Sequence, residues 1–294
     1  MTQPDPSRTV PDAAVPARVG VVGGGRMGAG IAQVFATLGS AVTIAETGDR
    51  QAALTRVSDG LARAHERGSL GGADPAAVLG RVSTVAAPDE LPAALDLVVE
   101  AVPEFVDLKL AVLTSVEKTV DAGTVIASNT SSISIAELGA ALNDPTRLIG
   151  MHFFNPVPAS ALVEIVRAPA TAAAVLDRVR GWVAGLGKTE VLVNDSPGFA
   201  TSRLGVCLGL EAIRMLEEGV ADAESIDRAM ELGYRHPMGP LRSTDLVGLD
   251  VRLAIAEHLE RTLGPRFAPP ALLREKVARG ELGRKTGRGF FDWT

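Results

Sequence analysis

Short apolar runs alternate with amphipathic stretches along the first two-thirds of the chain. The run Arg18–Val22 is rich in valine and is followed by three glycines, which is typical of a fully buried strand. Apolar residues then recur at helical spacing over Met27–Leu38, and Ala41–Ala45 predicts a second strand. Further strands are predicted at Val82–Val85, Leu95–Val102, Thr124–Ala127, Leu148–Met151, Leu162–Val166 and Val191–Val193. This alternation predicts an α/β fold with a mostly parallel, doubly wound sheet.

The pattern changes at Asp195–Gly198, where the apolar β-branched runs stop. Amphipathic helices are predicted beyond it, at Thr201–Glu218, Ala223–Leu232 and Leu246–Leu263. We therefore expect two domains, at residues 18–195 and 196–294, although a simple turn at the change would have the same local sequence. Residues 1–17 contain four prolines and no apolar segment, which predicts a disordered tail rather than a secretory signal.

Composition narrows the class of protein. The 294 residues are 46% hydrophobic and 22% charged, which is ordinary for a globular protein. No apolar run approaches the ~20 residues of a membrane helix, so no membrane partner is expected. The net charge of −6 argues against nucleic acid, because binding to nucleic acid needs a basic face. The single cysteine, Cys207, excludes an internal disulfide and a cysteine-based zinc site, so we expect no metal and a cytoplasmic location.

A glycine-rich loop joins the first strand to the first helix. Gly23, Gly25 and Gly28 match the pattern G-x-G-x-x-G, and Arg26 and Met27 lie between the last two. The first glycine allows a tight turn, the second admits a pyrophosphate, and the third lets the helix pack on the strand. The helix N-terminus then stabilises the phosphate charge. The loop therefore predicts a dinucleotide site.

An acidic residue ends the second predicted strand. Glu46 lies roughly twenty residues beyond the glycine loop, where a carboxylate accepts hydrogen bonds from a ribose 2′-hydroxyl and repels a 2′-phosphate. NAD is therefore expected rather than NADP, although the nearby Arg50 leaves that preference open. The alternative is a structural glycine turn followed by a surface glutamate.

One of the four histidines lies in the place where open α/β sheets form their sites. His152 follows the run Leu148–Met151, so we expect it just past a strand end, where an imidazole takes up a proton near neutral pH. Glu164 interrupts the apolar run Ala161–Val166, and a charge there is unfavourable unless it is exposed or paired. Pairing with His152 accounts for both residues, and exposure on an edge strand is the alternative.

A polar cluster, Ser128–Ser132, follows another predicted strand. Ser131 or Ser132 would cap the next helix in a purely structural interpretation. In the functional interpretation, one hydroxyl of the cluster donates to the reacting oxygen of a substrate. The pattern alone does not choose between them.

Together these segments resemble the 3-hydroxyacyl-CoA dehydrogenase family over Arg18–Trp293. The resemblance implies an N-terminal Rossmann-type domain, a smaller all-helical C-terminal domain that forms a homodimer, and NAD as the cofactor. It implies oxidation of a (3S)-3-hydroxyacyl-CoA, such as 3-hydroxybutyryl-CoA, to the 3-ketoacyl-CoA. The segments that carry it are Gly23–Gln33, Glu100–Glu104, Ser128–Ser132, His152–Pro158, Leu162–Glu164, Asp195–Phe199, His236–Pro240 and Gly283–Asp292.

The resemblance also implies roles for individual residues. His152 would be the catalytic base, Glu164 its partner, and Ser131 a contact to substrate and nicotinamide. Ser202 stands where the family commonly has a substrate-binding asparagine. The implied cofactor-binding residues are Gly23, Gly25, Arg26, Met27, Gly28, Glu46, Glu100, Lys109 and Asn129.

Two segments depart from the family pattern. Ser202 is shorter than asparagine, and Ser69 lies near the place where many members have a lysine for the CoA phosphates, which Arg63 or Arg67 would replace. Two other functions remain as alternatives: a dehydrogenase for a sugar acid such as gulonate, and a non-catalytic NAD-binding structural or sensor protein. The sequence leaves open the acyl chain length, a preference for dicarboxylic acyl-CoA, and the physiological direction.

Overall fold

The computed structural model describes residues 15–293, which form two compact units divided between Asp195 and Ser196. The division falls where the strand pattern of the sequence ends. Most of the tail expected at residues 1–17 lies outside the described residues. Among the described helices, none combines the length and apolarity that a membrane span requires.

The first unit is built on one eight-stranded sheet in the order β3-β2-β1-β4-β5-β6-β7-β8. All neighbouring strands are parallel except the antiparallel pair β6 and β7. The predicted doubly wound, mostly parallel sheet is therefore confirmed. The strands are β1 Arg18–Val22, β2 Ala41–Ala45, β3 Val82–Val85, β4 Leu97–Glu100, β5 Val125–Ser128, β6 Leu148–Phe153, β7 Leu162–Arg167 and β8 Thr189–Asn194.

Helices cover the sheet of the first unit and bury its central strands. The four residues of β4 and the four of β5 are all buried, which is why these strands appear in the sequence as continuous apolar runs. The strand order reverses between β1 and β4, and the carboxyl ends on either side of such a reversal form a crevice for ligands. The helices are α1 Arg26–Thr37, α2 Arg50–Glu66, α3 Pro75–Leu79, α4 Val106–Thr119, α5 Ile135–Gly139 and α6 Ala173–Gly185.

The second unit consists of helices packed around their own apolar core, as predicted. Its helices are α7 Thr201–Glu217, α8 Ala223–Gly233, α9 Pro240–Val247, α10 Leu249–Leu263 and α11 Ala271–Ala278. The prediction of one helix over Leu246–Leu263 is wrong, because Gly248 has a φ of 106° and separates α9 from α10. Asp245 holds the C-terminal segment by accepting hydrogen bonds from the amides of Phe290 and Phe291, each at 2.9 Å.

Candidate active site

The glycine loop has the backbone geometry that its sequence predicts. Gly23 has a φ of 98°, and its amide donates to the carbonyl of Ala45 at 2.8 Å. A Cβ added at Gly28 would lie 1.8 Å from the carbonyl oxygen of Gly23, so only glycine allows α1 to approach β1 this closely. A Cβ added at Gly25 would meet no atom within 4 Å. Gly25 therefore borders open space on the side where a ligand would approach.

A cleft of about 700 Å³ lies beside this loop. The helix α1 begins after Gly25 with no side-chain cap and no acidic residue in its first turn, so its first amides are available to an anion. The cleft, the exposed helix end and the close glycine approach together fit the pyrophosphate of a dinucleotide. Of the predicted cofactor-binding residues, five line the cleft: Gly23, Gly25, Arg26, Met27 and Glu46.

Glu46 lies at the end of β2 with its carboxylate fixed by two backbone amides. Oε2 accepts from the amide of Gly24 at 2.6 Å, and Oε1 accepts from the amide of Gly48 at 2.7 Å. These bonds hold a negative charge at the cleft, next to the glycine loop. That position supports the predicted selection of NAD over NADP, since a 2′-phosphate would be repelled there.

Glu100 and Lys109 form a buried ion pair below the ends of the central strands. Their side chains are 0% and 1% exposed, and Lys109 Nζ lies 2.7 Å from Glu100 Oε1. Burial raises the pKa of Glu100 against the opposing charge of Lys109, and Ser128 Oγ donates to the second carboxylate oxygen at 2.6 Å. Both side chains are enclosed, and Glu100 holds the end of β5 through its hydrogen bond with Ser128. Their contact with NAD stays a prediction.

Glu104 organises the serine cluster, a role that sequence reasoning missed. Its Oε1 accepts from Thr130 Oγ1 at 2.6 Å and from the amide of Ser131 at 2.8 Å. Burial acts to raise the pKa of Glu104, but the charge of Lys109 and these hydrogen bonds hold it below its usual range. The only sequence signal was the position of Glu104 in the Glu100–Glu104 segment, and nothing local indicated its partners.

The serine cluster does not cap the next helix. The helix α5 begins at Ile135, and its N-cap is Ser134, whose side chain accepts from the amide of Glu137 at 3.2 Å. The structural alternative, in which Ser131 or Ser132 caps this helix, is therefore wrong. The Ser131 hydroxyl instead donates to Glu104 Oε1 at 3.2 Å. Of the two alternatives for the serine cluster, the contact with substrate remains as the proposed role of Ser131.

Asn129 joins the ends of two neighbouring strands. Its side-chain oxygen accepts from the amide of Phe153 at 2.8 Å, and its own amide donates to the carbonyl of Glu100 at 2.8 Å. Asn129 thereby ties the end of β5 to the ends of β4 and β6. Its predicted contact with the cofactor is not tested by these bonds.

His152 and Glu164 are brought together by the antiparallel pairing of β6 and β7. They face each other directly in the register, and His152 Nδ1 lies 3.0 Å from Glu164 Oε2. The two residues are 8% and 0% exposed. His152 lies inside β6 rather than just past its end, so that part of the prediction is wrong. The edge-strand alternative for Glu164 is also wrong, because β8 pairs with the other side of β7.

Ser202 lies in the second unit, as the second residue of α7. The N-cap of this helix is Ala200, so Ser202 does not cap it. Its predicted contact with substrate stays a proposal.

A second cleft of the first unit, about 410 Å³ in volume, is lined by four arginines. They are Arg26 from α1 and Arg56, Arg63 and Arg67 from α2. None of the four forms an ion pair with a described carboxylate, and one carboxylate, that of Asp59, also lines the cleft, so its lining carries an excess of positive charge. Ser69, which lies near the place of the family's lysine, donates its hydroxyl to the carbonyl of Ala64 at 3.0 Å. Sequence reasoning identified Arg63 and Arg67 here but missed Arg56.

Comparison with known proteins agrees with this geometry. The family model described as 3-hydroxyacyl-CoA dehydrogenase, NAD binding domain, matches residues 18–196, and the model of the C-terminal domain of the same family matches residues 198–293. A probable 3-hydroxybutyryl-CoA dehydrogenase of Bacillus subtilis is 41% identical over 276 residues, which cover 93% of this chain and 96% of the relative. A 3-hydroxybutyryl-CoA dehydrogenase of Mycobacterium tuberculosis is 41% identical over 281 residues, covering 94% of this chain and 98% of the relative. The crystal structure of (S)-3-hydroxybutyryl-CoA dehydrogenase from Ralstonia eutropha superposes with a TM-score of 0.89 at 42% identity, covering 95% of this chain and 99% of that one.

Proposed function

The chain belongs to the 3-hydroxyacyl-CoA dehydrogenase family and is an NAD-dependent dehydrogenase, and we propose that it oxidises a (3S)-3-hydroxyacyl-CoA reversibly to the 3-ketoacyl-CoA. The proposed substrate is short-chain, such as 3-hydroxybutyryl-CoA, in keeping with the names of the relatives. The observation that carries the proposal is the buried pair of His152 and Glu164, 3.0 Å apart, in the unit that holds the dinucleotide cleft.

His152 would remove the proton of the substrate 3-hydroxyl. Because Nδ1 faces Glu164, the substrate proton would be taken by Nε2. The Glu164 carboxylate holds the imidazole in one orientation and stabilises the positive charge that it gains. The hydride released from C3 would need an acceptor, which bound NAD would supply. Binding alcohol and cofactor in a fixed mutual orientation supplies much of the rate.

Ser131 would hydrogen-bond the reacting oxygen of the substrate. Its amide and hydroxyl are both turned to Glu104 Oε1, so the loop that carries it is held in one conformation. To donate to the substrate oxygen, the hydroxyl would turn away from Glu104 Oε1, which keeps the Ser131 amide and the Thr130 hydroxyl as donors. We propose Ser131 as the second polar contact to the substrate, and Glu104 as the residue that positions it.

The arginine cleft would bind the phosphates of CoA. Guanidinium groups bind phosphate oxygens in a bidentate geometry, and four of them line this cleft. Arg56 is additionally held by donating to the carbonyl of Gly24 at 3.1 Å. Binding energy gained there, remote from C3, is available to orient the reacting centre.

We further propose a cytoplasmic homodimer. On α7, Leu204 and Leu208 are 64% and 43% exposed, which is apolar surface that a second copy would cover. Ile213 and Leu216, predicted in the same apolar stripe, belong instead to the core of the second unit. The cytoplasmic location is supported by the single cysteine, which cannot form an internal disulfide. A monomer by light scattering at micromolar concentration would contradict the dimer.

Substrate oxidation by the purified protein tests the proposal. NADH formation is followed with (3S)-3-hydroxybutyryl-CoA, its 3R enantiomer and gulonate as substrates. We expect turnover of the 3S thioester alone. Turnover of gulonate in its place would establish the sugar-acid alternative, and NAD binding without turnover of any of them would establish the non-catalytic one.

A further inference from the structure

The imidazole of His152 contacts an aromatic ring as well as the Glu164 carboxylate. The centroid of the Phe154 ring lies 4.3 Å from the imidazole centroid, and the two ring planes form an angle of 43°. An edge-on approach would keep the two centroids farther apart, so the rings meet by their faces. Glu164 Oε2 meets the imidazole at Nδ1, 3.0 Å away. The imidazole therefore has one neighbour at its edge and another against its face, and the proposed proton transfer uses only the first.

Side-chain alternation at the end of β6 explains how Phe154 reaches this position. Successive side chains of a strand point to opposite faces, so His152 and Phe154 share one face and Phe153 points to the other. Phe153 is 2% exposed in the core, where it meets the Phe35 ring edge-on at a centroid distance of 6.5 Å. Phe154 directly follows the last residue of β6 and is partly buried. The two neighbouring phenylalanines therefore differ in surroundings: one ring packs in the core, and the other lies against the imidazole.

The loop that continues from Phe154 is held in place by a lysine. Lys188, directly before β8, donates from Nζ to the carbonyl of Val157 at 2.8 Å and also to the carbonyl of Ser160. The side chain of Val157 is 2% exposed and belongs to the core of the first unit. The chain is thus fixed on both sides of Phe154, by β6 before it and by these contacts after it. The Phe154 ring is therefore held against the imidazole by the structure around it.

We propose that Phe154 is a positioning residue for the base, whose ring fixes the tilt of the His152 imidazole and stabilises the positive charge that the imidazole gains from the substrate. The hydrogen bond to Glu164 alone would allow the imidazole to tilt about that bond, and the Phe154 ring restricts this tilt. The face of an aromatic ring is negative and attracts a cation within about 6 Å of its centroid. Because the imidazole is charged only once it takes the proton, this attraction acts mainly on the transition state. The inference rests on the proposed function, in which His152 is the base.

Replacing the ring by an aliphatic side chain removes the aromatic face and keeps an apolar group beside the imidazole. We expect Phe154→Leu to lower kcat for (3S)-3-hydroxybutyryl-CoA by about 3- to 30-fold, the range that a cation–π contact spans between exposed and enclosed sites. The KM of the substrate and the Kd of NADH should keep their wild-type values, because the lost contact acts on His152. Phe154→Tyr keeps the aromatic face and should restore the wild-type kcat. Phe154→Met takes the place of Phe154→Leu if that variant does not fold.

The adjacent phenylalanine provides a matched control. Phe153→Leu removes the same ring from the core, so it should lower the melting temperature and leave kcat unchanged. Phe154→Leu should show the opposite pattern, with the larger effect on kcat. A double variant tests whether Phe154 acts through His152. In a His152→Gln background, Phe154→Leu should cause no further loss of kcat, because glutamine gains no charge for the ring to stabilise.

The inference and the proposed function fail in different ways. Wild-type kcat in Phe154→Leu, a Phe154→Tyr variant as slow as Phe154→Leu, or the same further loss in the His152→Gln background would each overturn the inference. A higher KM of the substrate with wild-type kcat would make Phe154 a substrate contact and would overturn it as well. In all these cases the proposed function stands, provided that the wild type oxidises the 3S thioester. If the wild type oxidises no 3-hydroxyacyl-CoA, the proposed function is wrong and the inference falls with it.

Discussion

Replacing Glu164 by glutamine removes one charge from the buried pair and little else. Glutamine has nearly the same shape and can still bond to His152 Nδ1, which lies 3.0 Å from Glu164 Oε2. Two unit charges about 4 Å apart interact by about 4 kcal/mol at the effective dielectric constant of protein sites. The charge on His152 develops only during proton transfer, so this stabilisation acts mainly on the transition state. At about 1.4 kcal/mol per factor of ten, kcat should fall by about 10²- to 10³-fold.

The assay is steady-state oxidation of (3S)-3-hydroxybutyryl-CoA, together with NADH affinity and melting temperature measured on the same samples. NADH affinity should be unchanged, because Glu164 faces His152. The matched control is Glu190→Gln on the adjacent strand β8, where the carboxylate pairs with Arg180 at 2.6 Å and is partly exposed. That variant should retain wild-type kcat.

A double variant tests whether the two residues act as one unit. His152→Gln alone should lower kcat by about 10²- to 10⁴-fold, the usual contribution of general base catalysis. If Glu164 acts through His152, the double variant should be no slower than His152→Gln. Wild-type kcat in Glu164→Gln, or losses that multiply in the double variant, would refute the assignment of the pair.

Three further predictions concern the cofactor, the departure from the family pattern and acid stability. Glu46→Ala should narrow the preference for NAD over NADP, because it removes the charge that repels a 2′-phosphate. Equal kcat/KM values of the wild type for NAD and for NADP would contradict this prediction. Ser202→Ala should lower kcat/KM several-fold, in line with one hydrogen bond of ~0.5–1.5 kcal/mol, and Ser202→Asn should be tolerated. The melting temperature of Ser202→Ala should equal that of the wild type, because Ala200 and not Ser202 is the N-cap of α7. A lower melting temperature of Ser202→Ala with wild-type kinetics would argue against the substrate contact. Hydrogen bonds from Lys276 and Arg279 lower the pKa of Glu281 from 4.5 to about 2, so its stabilisation is present above 4.5 and is lost as the pH falls toward 2. Glu281→Gln should therefore lower the urea midpoint near neutral pH more than near pH 2, and an equal effect at both would contradict the pairing.

Local sequence was sufficient for the elements and for the cofactor loop. Strand β1 and the loop Gly23–Gly28 are contiguous, so their turn, their close approach and the start of α1 depend on residues a few positions apart. Buried parallel strands such as β4 are uniformly apolar, and that signal is local as well. The sequence also indicated that Glu164 needs a partner, because an isolated charge in an apolar strand is unfavourable.

Which side chains meet was decided by tertiary structure. His152 faces Glu164 because β6 and β7 pair antiparallel in one register, and a shift of one residue would turn them to opposite faces of the sheet. Glu104 meets the serine cluster only because β4 and β5 are neighbours in the sheet. Gly205 makes room for Arg252 across two helices that lie far apart in the chain. Periodicity and turn chemistry act between near neighbours in sequence, whereas these contacts depend on register and packing between distant elements, which no local pattern encodes.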